Sequence, residues 1–293
     1  MKSMTAIGFQ AASLARLAGC QTAAGSAGLA DMPSRTASYR FVFKIGKTCL
    51  CPFLGIWRAV AVISFSLVAL VHNAIAVPFL RPTRRMRARA AWMHCWSRFA
   101  CRVLGIRVQT HGSMSASGLL VSNHLSYLDI VVLSSIRPCV FVAKREVAAW
   151  PLFGWLARAA GTIFVDRECR LSSWKTVGLL QDAIAGGALV VLFPEGTSSD
   201  GTAVLPFKSA LLESAVQVRA PIAAASIQYA LDHGSVAEEV CYWRDMTLVP
   251  HLLNLLFKRE VRAHYSFSPA RIRAGNRKEI ARELREEIVS MRL

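Results

Sequence analysis

A general base and its partner stand at the end of an apolar run. The run GLLVSN (118–123) leads straight into His124, and Asp129 follows five residues later. Histidine suits proton abstraction near neutral pH, and a carboxylate on its second ring nitrogen fixes the tautomer and stabilises the imidazolium. Spacing restricts how the two can meet. Five steps of 100° put residues about 140° apart around a regular helix. The pair therefore forms only if His124 sits in a loop and Asp129 in the first turn of a following helix. Alone, a His and an Asp five apart are a weak signal.

Further polar breaks follow apolar runs. In Gly161-Thr162-Ile163-Phe164-Val165-Asp166-Arg167 a buried strand is predicted to end on charge. Arg167 there could grip a phosphate bidentately, or simply pair with Asp166 or Glu168 on the surface. The run from Phe193 to Gly201 breaks at Pro194 and Gly196, leaving Glu195, Thr197 and Ser198 in a polar loop. Gly196 permits close backbone approach to a ligand, although an ordinary turn has the same composition. Ala220-Pro221-Ile222 opens another strand, and Lys144 closes the run VFVAK (140–144).

These residues need strands that stop together. GLLVSN, VFVAK, TIFVDR (162–167), ALVVLF (188–193), PIAAASI (221–227) and VRAHYSFS (261–268) read as strands. SSWKTVGLLQDAIA (172–185) and FKSALLESAVQV (207–218) read as helices between them. The alternation predicts an α/β domain, a mostly parallel sheet flanked by helices, with ligands at the carboxyl ends of its strands. Residues 276–293 read as a closing helix. Asn276 and Glu279 form a capping box there, and Ile280, Leu284 and Ile288 its buried face.

Composition narrows the class. The 293 residues are 54% hydrophobic, yet carry 35 Lys plus Arg against 18 Asp plus Glu, a net charge of +17. So apolar a chain is not disordered, and a nucleic-acid binder of this charge would be more polar. AVAVISFSLVALVHNAIAV (59–77) has no charge and would span roughly 29 Å as a helix, close to the thickness of a bilayer core. Eight arginines lie between Arg81 and Arg107. In the second helix Trp92, Trp96, Phe99 and Val103 form an apolar stripe, which suits an interface with anionic lipid or, alternatively, packing against a core. Residues 1–45 read as a disordered tail, 46–105 as a membrane-anchoring helical region and 106–293 as the α/β domain. Arginines after the apolar span place that domain on the cytoplasmic side. The eight cysteines lack zinc-ligand spacing and read as reduced thiols, and no metal site is expected.

Together and in this order, the blocks Asn123–Asp129, Gly161–Arg167, Phe193–Thr197 and Ala220–Ile222 resemble those of the glycerolipid acyltransferase family, typified by bacterial 1-acyl-sn-glycerol-3-phosphate acyltransferase. The resemblance covers roughly residues 85–270. It implies acyl-CoA or acyl-carrier protein as donor, a lysolipid acceptor, membrane lipids as surroundings, and no further cofactor. His124 would deprotonate the acceptor hydroxyl and Asp129 would orient His124. Arg167 and Lys144 would hold the headgroup, with Glu195, Gly196, Thr197 and Ser198 shaping the acceptor pocket. The family usually places arginine after the threonine of its third block. Here that position is Ser198, as in members acting on lyso-ornithine lipids. Lysophosphatidic acid is the first-ranked acceptor and lyso-ornithine lipid the alternative. A serine hydrolase is disfavoured because GTSSDG (196–201) lacks the GxSxG spacing. A non-enzymatic basic membrane protein is the remaining class.

Overall fold

The computed structural model describes residues 52–150, 152–166 and 170–292. The expected N-terminal tail, Cys20, Cys49, Cys51, Cys169 and the candidate headgroup ligand Arg167 lie outside the described residues.

Eight strands form one sheet: β1 (Ile106–His111), β2 (Gly118–Ser122), β3 (Val140–Lys144), β4 (Ile163–Val165), β5 (Leu189–Leu192), β6 (Pro221–Ala230), β7 (Val261–Phe267) and β8 (Arg271–Ile272). Their order is β1-β7-β6-β2-β5-β3-β4, with β8 paired to β6. From β6 to β4 all neighbours are parallel, so β2, β3, β4, β5 and β6 end on the same side. β7 runs antiparallel to β6, and β1 follows β7. The sheet is thus mostly parallel, as the alternation predicts.

Burial explains which runs were readable. β2 and β5 are buried at every position because helices cover both faces. Leu120 and Val191 pack toward helices α2 (Pro82–Leu104) and α3 (Leu128–Ile136). Leu119, Val121, Val190 and Leu192 pack with Leu180 of α5 (Arg170–Ala185) and with Ile280, Leu284 and Ile288 of the closing helix, α9 (Arg277–Ser290). Asn276 caps α9, but through Lys278 N–H at 2.9 Å rather than through the N–H of Glu279.

One expectation changes, one strand was not foreseen, and one pair of alternatives is decided. The helix read at 207–218 is a 3₁₀ turn at Ala210–Leu212 and a short α6 (Glu213–Gln217). Its first residues lie outside any helix, with Lys208 N–H donating to the carbonyl of Pro194 at 2.9 Å. β1 carries no hydrophobic alternation, since only Ile106 is buried. The tryptophans of α2 face protein rather than lipid. Trp92 donates from its ring nitrogen to Ala69 O at 2.8 Å, and Trp96, 7% exposed, to Ser66 Oγ at 3.0 Å. The basic face is also partly engaged: Arg85 binds the carbonyls of Leu80 and Pro78, and Arg87 that of Gly186. Arg84, Arg98 and Arg102 remain exposed.

The partner of α2 is α1 (Pro52–Ala76), which starts before the uncharged run and includes Arg58. Arg58 is 5% exposed. Its guanidinium donates to Leu256 O at 3.2 Å, to Lys258 O and to Arg259 O at 3.3 Å, at the end of α8 (Leu248–Leu256). Gly105 makes room for it: φ is +70°, and a Cβ there would stand 2.7 Å from Arg58 Nη2. At the other end Asn73 donates to Ala159 O at 3.3 Å, the last residue of α4 (Phe153–Ala159). Between them Phe65 stacks on Phe99 with ring centroids 3.9 Å apart. α1 is therefore fastened to the domain along its length. Its outer face is apolar, with Ile56, Val60, Ile63, Leu67, Val71 and Ile75 each 48–61% exposed.

Candidate active site

The carboxyl ends of β2 and β5 converge on His124, the candidate base. His124 leaves β2 in the loop, and Asp129 is the second residue of α3. This is the loop-and-first-turn arrangement their spacing requires. His124 Nδ1 lies 2.7 Å from Asp129 Oδ2. The same oxygen accepts from Leu125 N–H at 2.7 Å and Ser126 N–H at 3.1 Å, and Oδ1 accepts from Tyr229 Oη at 2.7 Å. Four donors converge on a fully buried carboxylate, which serves only as acceptor. Nδ1 must then carry the proton, leaving Nε2 with the free lone pair. The side chain of His124 is 19% exposed, so the ring is not sealed off by protein. Phe193 stacks on the imidazole, with centroids 4.1 Å apart and planes 17° apart, and fixes its tilt.

Neighbouring strands hold the loop. Asn123 exchanges two hydrogen bonds with Ile227 of β6, donating to its carbonyl at 3.1 Å and accepting from its N–H at 2.8 Å. Ser199 N–H donates to His124 O at 3.0 Å, and Tyr242 N–H to Leu125 O at 2.8 Å. Tyr127, two residues before Asp129, meets His251 of α8: Tyr127 Oη is 2.9 Å from His251 Nδ1, whose Nε2 is 3.0 Å from Cys241 O. Burial lowers the pKa of His251. A neutral ring then donates to the carbonyl and accepts from the tyrosine, which is a structural role. Tyr229, Tyr242 and His251 carry no local motif. They reach the site from 100 or more residues away, and only the fold reveals them.

The third block turns the chain at Gly196, where φ is +75°. Thr197 is exposed beside the base loop, and Ser198 donates its hydroxyl to Tyr242 O. Lys144 is exposed at the end of β3, with β5 between it and β2, so about 10 Å of sheet separates the two strands. Among the described residues no group of three His, Cys, Asp or Glu side chains is placed to hold a metal.

Glu195 is 4% exposed and turned inward, where Oε1 accepts from His124 N–H at 3.4 Å. Burial raises its pKa to about 8; the charge of Asp129 adds to this and the bond from His124 opposes it. The native state then keeps a proton that the unfolded chain releases above about 4.5. The stability this group contributes is full below that value and is lost as pH rises to about 8, by up to about 1.4 kcal/mol per pH unit. Glu195→Gln should abolish this slope. Denaturant unfolding at pH 5, 6.5 and 8 checks it: curves for the two proteins that stay parallel would mean that native Glu195 is ionised.

The Acyltransferase family matches residues 105–228, which contain all of these loops except Tyr229 and the segments after it. The lyso-ornithine lipid O-acyltransferase of Rhizobium meliloti (strain 1021) is 34% identical over 251 residues, 80% of this chain and 86% of that protein. The 1-acyl-sn-glycerol-3-phosphate acyltransferase of Neisseria gonorrhoeae is 32% identical over 155 residues, 50% of this chain and 61% of that one. Among solved structures, the 1-acyl-sn-glycerophosphate (LPA) acyltransferase PlsC from Thermotoga maritima has the same fold. Its TM-score is 0.59 at 17% identity, covering 82% of this chain and 96% of that one. Extended similarity to a full-length relative, the shared fold and a buried His–Asp pair at the strand ends agree: the chain belongs to the glycerolipid acyltransferase family and is an O-acyltransferase.

Proposed function

We propose that this chain acylates a lyso-ornithine lipid, an N-acylated ornithine whose fatty chain bears the reacting hydroxyl. The observation that carries the reading is Ser198. A serine stands where relatives with phosphate acceptors are expected to place a cation, and its hydroxyl is committed to Tyr242 O. A phosphate acceptor would meet a neutral, already committed hydroxyl at that position. The relative matched over 86% of its length carries the lyso-ornithine name, which supports the same choice.

In this reading His124 Nε2 takes the proton of the acceptor hydroxyl. The oxygen attacks the thioester carbonyl of acyl-CoA or acyl-carrier protein, the C–O bond forms, the C–S bond breaks, and the imidazolium protonates the departing thiolate. Asp129 stabilises that imidazolium, and no acyl-enzyme is formed. Lysophosphatidic acid is the second reading, favoured by the exposed Lys144 and by the Neisseria relative.

The lipid acceptor is reached from a membrane surface. α1 is long and apolar enough to cross a bilayer, but leaving the domain would strand buried Arg58 and Asn73. It therefore lies in the plane of the interface, its apolar face sunk among acyl chains and extended by Trp155, Val249 and Leu253. The catalytic domain faces the cytoplasm, where the exposed thiol of Cys95 stays reduced.

Transfer from labelled donor to a lysolipid panel tests the acceptor. Lyso-ornithine lipid is expected to react at least about tenfold faster, in kcat/KM, than lysophosphatidic acid. The reverse order defeats the reading.

A further inference from the structure

The segment after Tyr242 has no part in the proton transfer, yet it is fastened to both catalytic loops. Tyr242 donates its N–H to Leu125 O and accepts the Ser198 hydroxyl on its carbonyl. Two residues on, Arg244 is exposed with φ at +53°. That left-handed conformation costs a residue with a Cβ on the order of 1–2 kcal/mol, and such outliers gather at ligand sites. Trp243 provides a floor. Its ring N–H is fixed on Ala237 O at 2.9 Å, and the Arg244 guanidinium stands 4.0 Å over the indole. Stacking holds the cation in one place instead of leaving it to sweep through solvent.

An anion is fastened to the same pair of loops. Asp200 follows Ser199, whose N–H is bound to His124 O, and the Cys241 thiol donates to Asp200 O at 3.5 Å. Asp200 Oδ1 accepts from Thr202 N–H at 3.0 Å and Thr202 Oγ1 at 2.8 Å. Those bonds hold its carboxyl below the usual range, and the charge of Arg244 acts in the same direction. A fixed cation and a fixed anion therefore stand on two segments that bond directly to the loop of His124 and to each other through Cys241.

We propose that Arg244 and Asp200 form the headgroup subsite, Arg244 binding a carboxylate and Asp200 an ammonium, so that the acceptor is read as an amino-acid zwitterion. The proposal rests on the lyso-ornithine reading and deepens it. A planar guanidinium pairs well with a carboxylate, and the two opposite charges match the two ends of an N-acylated ornithine. A phosphate monoester would gain from Arg244 and be repelled by Asp200.

The test uses the full-length chain in nanodiscs with four acceptors: lyso-ornithine lipid, its methyl ester, its δ-N-acetyl derivative and lysophosphatidic acid. Arg244→Ala should raise KM for lyso-ornithine lipid about tenfold or more, the loss expected for one charge-assisted hydrogen bond, with kcat within about twofold. On the methyl ester, which the unmodified protein should already bind poorly, the same variant should change nothing further. Asp200→Asn should behave likewise toward the acetylated lipid, and Arg244→Lys should restore part of the lost affinity. Equal loss of kcat on every acceptor would make the segment merely structural, and an unchanged KM would make Arg244 a bystander. Either result overturns the subsite. If the unmodified protein prefers lysophosphatidic acid, the acceptor reading fails instead, whatever Arg244 does. If it prefers lyso-ornithine lipid and Arg244→Ala is silent, only the subsite fails.

Discussion

His124→Ala is expected to lower kcat about a thousandfold, within the range that a positioned general base supplies, while KM for both substrates moves little. The separation follows from what the ring touches. Its bonded nitrogen contacts only Asp129, and its face lies on Phe193. Neither contact holds the acceptor or the donor. Folding should survive, because Asp129 retains Leu125 N–H, Ser126 N–H and Tyr229 Oη, and the lost side chain was already partly in solvent. Steady-state transfer with labelled donor, beside a thermal melt of the same preparation, reads both quantities. Retention of more than about a tenth of the activity in a folded variant would remove His124 from the proton transfer.

The pairing of His124 with Asp129 was legible because both sit where an element changes type. β2 is buried at every position, its apolar run ends at Val121, and polar Ser122 and Asn123 lead into His124, while α3 begins within one turn of Asp129. The remaining supports were not legible, since a sheet brings them in laterally. Tyr229 reaches Asp129 from β6, a hundred residues on, and in sequence it is one more apolar position of a strand. Glu195 was visible as a polar residue in a loop, but the inward turn that buries it depends on the segment at Lys208 folding back on Pro194. The tryptophans of α2 show the same limit. A stripe at helical spacing specifies a buried face without saying whether lipid or another helix buries it. Here the answer lies in Ser66 and in the backbone carbonyl of Ala69, acceptors that an acyl chain cannot offer. Arg58 alone would have suggested the end of a membrane span. Its three carbonyl partners lie about two hundred residues away.

Asp129→Asn should separate the charge of this residue from its architecture. The amide oxygen can occupy the place of Oδ2 and keep the bonds from Leu125 N–H, Ser126 N–H and His124 Nδ1–H. The amide NH₂ then faces Tyr229 Oη, whose hydroxyl must turn from donor to acceptor. The loop therefore stays folded and His124 keeps its tautomer. What disappears is the negative charge that stabilises the imidazolium formed when the acceptor is deprotonated. In a buried site that charge is weakly screened, and kcat is expected to fall by about two to three orders of magnitude. Asp129→Ala should fail differently. It orphans two backbone N–H groups and a tyrosine hydroxyl in a site closed to water, at about 1–3 kcal/mol for each group left unpaired, and it should lower the melting temperature along with activity. Tyr229→Phe supplies the control, since it removes one donor from the far oxygen and leaves the charge in place. It should cost far less in rate than Asp129→Asn. If the asparagine variant were instead as active as the phenylalanine one, the carboxylate would be a loop fastener and His124 would work without its help. If the asparagine variant were inactive and also unstable, the amide would have entered in the other orientation, donating to His124 Nδ1 and leaving the wrong nitrogen exposed. A melting curve measured on the same sample tells these outcomes apart.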